Sequence, residues 1–251
     1  MPGDERPPAA LRTVTVPDAE ILALLGRGEL EIMGLLPRSS NSTFLARVTD
    51  GETESLAVYK PVAGEAPLWD FPEGTLAARE VAAFVLAEAL GWPHVPPTLL
   101  RDGPHGPGSV QRFVAFDPQQ HFFTMQDERP DDFRRIALFD AIANNADRKS
   151  GHCLLSEDGE VFVIDHGVCF NAEPKLRTVI WDFEGEPVPD DLLTGLRALE
   201  PVLAAGPVRE ALEALLSASE VSALERRLGA IVADGRFPVP GPGRPYPWPP
   251  V

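Results

Sequence analysis

The amino-acid sequence predicts an α+β fold. Strand-like segments fill the first half of the chain and helix-like segments fill most of the second half, the order typical of α+β proteins. The chain has 251 residues, of which 44% are hydrophobic and 24% are charged. This length and composition suit one large domain or two small lobes that share a cleft and bury a hydrophobic core.

Apolar periodicity and turn residues place the individual elements. The predicted strands are residues 30–36, 43–48, 56–61, 98–101 and 109–115. The predicted helices are residues 18–25, 75–90, 131–143, 190–204, 208–216 and 220–233. The second helix begins at Thr75 as its N-cap and ends at Gly91 and Pro93. A hairpin with an Asp158-Gly159 turn follows the third helix.

Composition divides the chain into four parts. Residues 1–16 are Pro-rich and polar, which predicts a disordered tail. Residues 17–115 form the strand-rich lobe and residues 116–236 the helical lobe. Residues 237–251 contain too many prolines for a helix or a central strand, so we expect an extended tail. That tail either binds a protein partner or packs on its own domain, and we favour packing because Tyr246 and Trp248 could be buried.

The charge and cysteine content narrow the classes of partner and compartment. The net charge is −16, with 38 acidic and 22 basic residues, which disfavours nucleic acids and anionic membrane surfaces as partners. No stretch is apolar enough to span a membrane, and the N-terminus lacks the features of a signal peptide. Cys153 and Cys169 form no disulfide framework, so the expected location is the cytoplasm.

Lys60 and Glu80 are charged residues that the periodicity of the surrounding apolar residues places on apolar faces of a strand and a helix. Lys60 is the last residue but one of the strand 56–61, and alternation puts its side chain on the face of Leu56 and Val58. Glu80 lies four residues from both Leu76 and Phe84, on an apolar stripe of its helix. A buried charge needs a partner, so we predict a Lys60–Glu80 ion pair of the kind that kinases use to hold nucleotide phosphates. The alternative is two unrelated surface charges.

The polar segment between the first two strands, Ser39-Ser40-Asn41-Ser42-Thr43, occupies the position of a phosphate-covering loop. It contains no glycine, so it is not a Gly-rich fingerprint. Its hydroxyl and backbone N–H groups are nevertheless suited to lining an anion. A plain polar turn is the alternative.

The hairpin after the third helix carries the strongest functional signal. A two-residue turn at Asp158-Gly159 places His152 opposite Asp165 at the open end of the hairpin, and Asp147 lies in the loop just before it. Phosphoryl transfer requires one carboxylate to orient the attacking hydroxyl and another to help hold a divalent ion. The alternative is a hairpin whose charged ends are only solvated.

These residues resemble those of phosphatidylinositol 3/4-kinase-like proteins of the protein-kinase-like superfamily. The segment Asp147 to His152 resembles the catalytic loop, and Asp165-His166-Gly167 resembles the metal-binding segment. The strand containing Lys60 resembles the nucleotide-lysine strand, and Gln111, Arg112, Phe113 and Val114 resemble the hinge that meets adenine. The chain is also similar to an actinobacterial-type family with this pattern, a resemblance that implies no substrate.

The resemblance implies a two-lobed kinase-like fold that uses ATP with Mg²⁺ or Mn²⁺. Asp147 would position the substrate hydroxyl, Lys149 would steady the transferred phosphate, and Asp165 with His152 would bind the metal. His152 replaces the family's asparagine, which favours Mn²⁺ over Mg²⁺ and predicts weaker metal binding below about pH 6 to 6.5. Alternatively, His152 only hydrogen-bonds the backbone.

The substrate expected from the acidic surface is a soluble small molecule or a protein. Lys175 and Arg177 are the only cations between Gly167 and Asp182, so the segment lacks the basic cluster that lipid kinases use for inositol phosphates. Two other functions are compatible with the same residues. One is a nucleotide-sensing pseudokinase that transfers nothing, and the other is an AMP transferase that binds ATP in a flipped orientation.

Overall fold

The computed structural model describes residues 18–36 and 41–251, in which an antiparallel sheet precedes a helical region. The strands are β1 (Glu29–Leu35), β2 (Phe44–Thr49), β3 (Glu54–Pro61), β4 (Thr98–Gly103), β5 (Gly106–Arg112), β6 (Cys153–Leu155) and β7 (Val161–Val163). The helices are α1 (Asp18–Arg27), α2 (Leu76–Leu90), α3 (Phe122–Met125), α4 (Pro130–Ala143), α5 (Asp190–Ala204), α6 (Pro207–Leu215) and α7 (Ala218–Asp234). Short 3-10 turns lie at Val62–Gly64 and Ser150–His152.

The strand-rich lobe is a five-stranded sheet with the order β1-β2-β3-β5-β4, and every neighbouring pair is antiparallel. Helix α1 packs Leu24 and Leu25 on one face of this sheet, against buried side chains such as Ala57 and Tyr59. Strand β3 lies between β2 and β5, so Lys60 projects from the middle of the sheet. The α+β prediction is confirmed, as are the five strands of this lobe.

The larger core belongs to the helical lobe. It joins α4, α5, α7 and the β6–β7 hairpin, and residues of α5 such as Leu196 and Leu199 are fully or almost fully buried in it. Helix α2 contributes Ala83, Leu86 and Ala87 to the same core, although it follows the sheet strand β3 in the chain. Helix α2 therefore packs on the helical lobe as well as on strands β4 and β5 of the sheet.

Several element ends differ from the sequence prediction. Residues 103–108 are not a loop, because β4 and β5 continue to a tight turn where Gly103 pairs with Gly106. Thr75 is the N-cap residue of α2, but its side chain makes no capping bond. The carboxylate of Glu65 accepts hydrogen bonds from the N–H groups of Leu76 and Ala77 instead, at 3.2 and 2.9 Å.

The β6–β7 hairpin has a different register from the one predicted. Cys153 pairs with Val163, so the loop contains three residues and not two. Gly159 adopts a positive φ of 85° there, which glycine tolerates without a steric penalty. The extra loop residue places His152 opposite Ile164, whose N–H donates to His152 O at 3.1 Å. His152 is consequently a diagonal neighbour of Asp165.

The Pro-rich tail, residues 237–251, packs on its own domain as favoured from the sequence. Pro250 O accepts a hydrogen bond from Ser150 N at 2.9 Å, and Pro245 O accepts one from Thr178 N at 3.0 Å. Tyr246 and Trp248 are not buried, however, since they are 49% and 73% exposed. The tail binds through backbone carbonyls and prolines, and its binding to a partner stays a prediction.

Candidate functional site

Lys60 lies between two carboxylates that come from distant parts of the chain. Its Nζ donates to Glu80 Oε1 on α2 and to Asp165 Oδ1 after β7, the latter at 2.9 Å. Burial disfavours the charged ammonium, but the negative charges of Asp165 and Glu80 outweigh it and raise the pKa of Lys60. The predicted Lys60–Glu80 ion pair is confirmed.

Glu80 uses both carboxylate oxygens in the site. Oε1 accepts from Lys60, and Oε2 accepts from the backbone N–H of His166 at 2.9 Å. Only 4% of its side chain is exposed, so these bonds compensate for a buried charge. Glu80 thereby ties the strand that carries Lys60 to the segment that carries Asp165.

The catalytic-loop candidate is built on a buried Arg148–Asp140 pair. Neither side chain is exposed, and Arg148 Nε donates to Asp140 Oδ2 at 2.9 Å. Arg148 Nη1 also donates to Ile164 O at 2.8 Å, while Nη2 lies 2.8 Å from His166 Nε2. These contacts fix the loop between α4 and the end of β7, with Asp147 directed away from the core.

Asp147 is the partly exposed carboxylate of this loop. Its backbone N–H donates to Asn145 Oδ1 at 3.0 Å, and its Oδ2 lies 3.2 Å from Lys149 Nζ. Burial raises the pKa of Asp147 above its usual value, against the opposing charge of Lys149, and the charge of Asp165 raises it further. The two carboxylates therefore interact electrostatically, as expected for groups around one cleft.

Asp165 combines an unusual backbone conformation with an ion-pair partner, Lys60, on one carboxylate oxygen and the imidazole of His152 on the other. Its φ of 63° lies in the left-handed region that non-glycine residues rarely adopt, which is typical of functional sites. Its Oδ2 lies 3.3 Å from His152 Nε2. The Lys60 charge holds the pKa of Asp165 well below its usual value, so this half-exposed carboxylate is ionised at neutral pH.

His152 is a buried, neutral imidazole. Burial lowers its pKa to about 4, although the charge of Asp165 acts in the opposite direction. This direction runs against the window of about pH 6 to 6.5 expected from the sequence, and the pH dependence of metal binding stays a prediction. His152 Nδ1 accepts from Lys149 N at 3.4 Å and Nε2 lies 3.3 Å from Asp165 Oδ2, contacts that favour the tautomer with the ring proton on Nε2.

The fit of this site to a divalent ion depends mainly on Asp165. Among the residues that the structure describes, no cluster of three His, Cys, Asp or Glu side chains could hold an ion alone. An ionised, half-exposed carboxylate suits Mg²⁺ or Mn²⁺, which usually complete their shell with substrate phosphates and water. His152 is within ligating reach only if its proton moves to Nδ1, at the cost of the long bond from Lys149 N. Both roles of His152 stay predictions.

Sequence and structure comparisons provide a family and a fold. Protein Rv2133c of Mycobacterium tuberculosis (strain ATCC 25618 / H37Rv) is 40% identical over 262 residues, covering 90% of this chain and 94% of that protein. The chain belongs to the family of Protein Rv2133c. No family model matches the chain.

A phosphatidylinositol 4-kinase is a more distant relative. Phosphatidylinositol 4-kinase gamma 4 of Oryza sativa subsp. japonica is 28% identical over 190 residues, which are 61% of this chain. The match spans 33% of that larger protein, so the chain corresponds to about a third of its length. This relationship agrees with the coarser resemblance to the kinase-like superfamily. The link to an actinobacterial-type family stays a prediction.

Solved kinase structures share the fold. The Golgi casein kinase with Mn/ADP bound superposes with a TM-score of 0.52 at 15% identity, covering 86% of this chain and 75% of that one. The Helicobacter pylori proinflammatory kinase CtkA superposes with a TM-score of 0.54 at 12% identity, covering 85% and 94%. The chain thus has a two-lobed kinase-like fold with a β-rich N-lobe and a mainly helical C-lobe. The exact domain boundaries stay predictions.

The predicted phosphate loop is only partly described. Ser39 and Ser40 lie outside the described residues. Asn41 Oδ1 accepts from Ala66 N at 2.8 Å, and Ser42 N donates to Gly64 O at 3.0 Å. Asn41 and Ser42 therefore hold the loop against the connection between β3 and α2. Phosphate contact by Ser39, Ser40, Asn41 or Ser42 stays a prediction.

The predicted hinge has several polar groups already engaged within the protein. Gln111 Nε2 donates to Thr98 Oγ1 at 2.8 Å, and Arg112 N donates to Pro97 O at 2.9 Å. Phe113 N donates to Leu56 O at 3.0 Å. Those three donors are not free for adenine in this conformation, so the assignment of this segment, including Val114, stays a prediction.

Sequence reasoning missed the buried supports of the site. Asp140 lies four residues after Ile136 and seven after Phe133, on the buried face of α4. The argument that predicted a partner for Glu80 applies equally to this carboxylate. Its partner Arg148 lies within the catalytic-loop segment, and no apolar periodicity there specifies whether the side chain of Asp147, Arg148 or Lys149 points inward.

An open cavity of about 340 Å³ is lined by the connection between β3 and α2 and by the first residue of α2. Phe71 and Leu76 line it and belong to the same buried cluster as Ala146, the residue before Asp147. Glu65 and Glu73 also line the cavity. The cavity is therefore linked to the catalytic loop through this buried cluster, and none of the proposed catalytic side chains lines it.

Proposed function

We propose that this protein is an ATP-dependent phosphotransferase that uses Mg²⁺ or Mn²⁺. The observation that carries the proposal is the bridging of Glu80 and Asp165 by Lys60 in a kinase-like fold. Protein kinases require the equivalent Lys–Glu pair and metal-binding Asp to be in place for activity. The geometry of these groups corresponds to the assembled arrangement.

The chain's own residues would then have separate roles. Lys60 would hold the phosphates, oriented by Glu80. Asp165 would hold the divalent ion, whose charge offsets that of the phosphates. Asp147 would orient the acceptor hydroxyl and take its proton, a role to which its raised pKa is suited. Lys149 beside it would stabilise negative charge on the transferred group.

We propose that the acceptor is a soluble, uncharged or cationic molecule that enters through the cavity bordered by Phe71 and Leu76. The carboxylates of Glu65 and Glu73 on its lining, together with a net charge of −16, disfavour anionic headgroups there. No helix in the described part of the chain is long and apolar enough to cross a membrane. Cytoplasmic location stays a prediction.

A nucleotide-binding protein without transfer activity is the second candidate. It is favoured by His152, which lies five residues after Asp147, where kinase catalytic loops carry a metal-binding asparagine. In this conformation the Nε2 proton of His152 faces Asp165, so the imidazole does not replace that asparagine's oxygen. Binding of nucleotide through Lys60 would persist in such a protein.

The decisive experiment incubates the protein with ATP and Mg²⁺ or Mn²⁺ and measures both ADP release and the intact mass. Phosphorylation adds about 80 Da to an acceptor and AMP transfer adds about 329 Da, so the two chemistries are distinguishable. Asp147→Asn should abolish transfer but keep nucleotide affinity, because its role is to orient the nucleophile. Unchanged turnover in this variant would exclude Asp147 from catalysis.

Nucleotide binding is tested separately by thermal denaturation. ATP with metal at a hundredfold its Kd stabilises the native state by about 2.7 kcal/mol, which raises the melting temperature by roughly 5–10 °C in a protein of this size. Lys60→Met should lose most of this shift. Arg47→Met is the matched control, because Arg47 pairs with Glu31 on the exposed part of the same sheet. Equal shifts in all three proteins would remove Lys60 from the nucleotide site.

A further inference from the structure

Arg79, the residue before Glu80, is almost fully buried between the two lobes. Only 2% of its side chain is exposed. Its Nη2 donates to Glu220 Oε1 at 2.5 Å, and its Nη1 donates to Cys169 O at 2.8 Å. The guanidinium also lies 4.9 Å from the centre of the Phe71 ring. Arg79 therefore connects α2 to two separate parts of the helical lobe.

Glu220 is held firmly in the first turn of α7. Its Oε2 accepts from Ser217 N at 2.8 Å and from Ser217 Oγ at 2.7 Å, which completes a capping box. Burial alone would raise the pKa of Glu220, but the bonds from Ser217 and Arg79 lower it, so the carboxylate is ionised at neutral pH. The partner of Arg79 is thus a fixed anion on a helix of the C-terminal region.

Two consecutive residues of α2 hold the segment after β7 at both ends. Glu80 accepts from His166 N at 2.9 Å, and Arg79 donates to Cys169 O at 2.8 Å. Moving α2 away from Lys60 would break both bonds and would leave Arg79 and Glu220 as unpaired charges in a buried environment. Unpaired buried charges are strongly unfavourable.

We propose that Arg79 and Glu220 are positioning residues that keep Glu80 on Lys60 and on the Asp165 segment. The proposal rests on the phosphotransferase function given above. In many kinases the Lys–Glu pair is a regulated element that forms and breaks. Here α2 shares the core of the helical lobe and is tied to α7, so the pair is assembled without an activating partner. This also gives the C-terminal helices, which carry none of the kinase motifs, a defined role.

The first test measures the chemical reactivity of Lys60 and needs no nucleotide. The chain contains three lysines, Lys60, Lys149 and Lys175, so an amine-acylating reagent followed by peptide mass spectrometry gives the rate at each one. Arg79→Gln and Glu220→Gln should accelerate acylation of Lys60 at least fivefold relative to the other two lysines. Hydrogen exchange of the α2 amides should accelerate in the same variants.

Controls separate positioning from general loss of structure. Arg209→Gln breaks another Arg–Glu pair of the helical lobe, with Glu225. The hydrogen bonds of Arg209 go to Leu203, Glu213 and Glu225 and not to α2, so this variant should leave Lys60 acylation unchanged. Arg79→Lys keeps a cation near Glu220 and should restore part of the protection of Lys60. If Arg79→Gln fails to fold, Glu220→Gln and Arg79→Lys decide the question. Folded variants of Arg79 and Glu220 with wild-type acylation rates would overturn the proposal.

The second test uses turnover and distinguishes this inference from the proposed function. With ATP and Mn²⁺, Glu220→Gln should lower kcat for ADP release at least tenfold and change KM for ATP less than threefold, because only phosphate positioning is disturbed. A wild-type protein that releases no ADP would refute the phosphotransferase proposal, while the acylation result would still decide whether Arg79 and Glu220 position Glu80. Equal losses in kcat and in the yield of folded protein would indicate a purely structural role and overturn the inference.

Discussion

Removing Arg148 tests whether the catalytic loop depends on its buried ion pair. Arg148 and Asp140 have no exposed side-chain surface, and Arg148 also bonds Ile164 O and His166. Arg148→Met preserves most of the side-chain volume but leaves the Asp140 carboxylate buried without its main partner. Breaking one side of such a pair costs about 3–5 kcal/mol, a large part of the 5–15 kcal/mol typical of whole proteins.

The loss of stability should depend on whether Arg148 or Asp140 remains buried without its ion-pair partner. Replacing both residues, as Arg148→Met with Asp140→Leu, removes the uncompensated charge. The double variant should therefore be more stable than the sum of the single losses predicts, by about 1–3 kcal/mol. Asp140→Leu alone should be as harmful as Arg148→Met, because it leaves the guanidinium unpaired.

Urea unfolding followed by tryptophan fluorescence and circular dichroism provides the measurement, with an unchanged m-value as the check on two-state behaviour. Arg209→Met is the matched control, because its partners Glu213 and Glu225 are partly exposed and such pairs contribute about 0.2–1 kcal/mol. A loss below about 1 kcal/mol for Arg148→Met, or strictly additive losses in the double variant, would refute the argument.

Three further outcomes follow from burial and from the tail. Cys153 and Cys169 are fully buried, and burial raises the pKa of the Cys153 thiol to about 12, so a thiol reagent should label neither in the native protein and both after unfolding. Burial lowers the pKa of His152 to about 4, so the unfolded chain binds a proton between pH 6.5 and 4 that the native protein does not. Stability should therefore fall as pH falls through this window, by up to about 1.4 kcal/mol per pH unit for this group, and His152→Asn should reduce the slope of the unfolding free energy against pH. An identical slope would contradict this. Deleting residues 245–251 removes the acceptor of Ser150 N and should accelerate hydrogen exchange at that amide, and unchanged exchange would mean that the tail does not stabilise the catalytic loop.

The sequence determined the local structure and the pairing of Lys60 with Glu80. Alternating and helical apolar patterns gave the strands of the sheet and the main helices, because each pattern must bury one face. Lys60 and Glu80 lie on apolar faces of their elements. Because a buried charge needs a partner, this position predicted that they pair. These conclusions rest on neighbours within a few residues in the chain.

The sequence was less informative where a turn or a cap depended on a distant group. One additional loop residue moved His152 from facing Asp165 to a diagonal position, and Glu65 replaced Thr75 as the cap of α2. The tail packs through Pro245 and Pro250, since its backbone carbonyls meet N–H groups that no sequence pattern identifies.

Only the tertiary structure decided which charged residues form ion pairs across the two lobes. Lys60 binds Asp165 across 105 positions of sequence, and Arg79 binds Glu220 across 141. Pairings of this kind depend on how the sheet and the helices pack, and periodicity within one element contains no information about it. The sequence therefore determined what each charged residue needs, whereas the packing of the two lobes determined which residue supplies it.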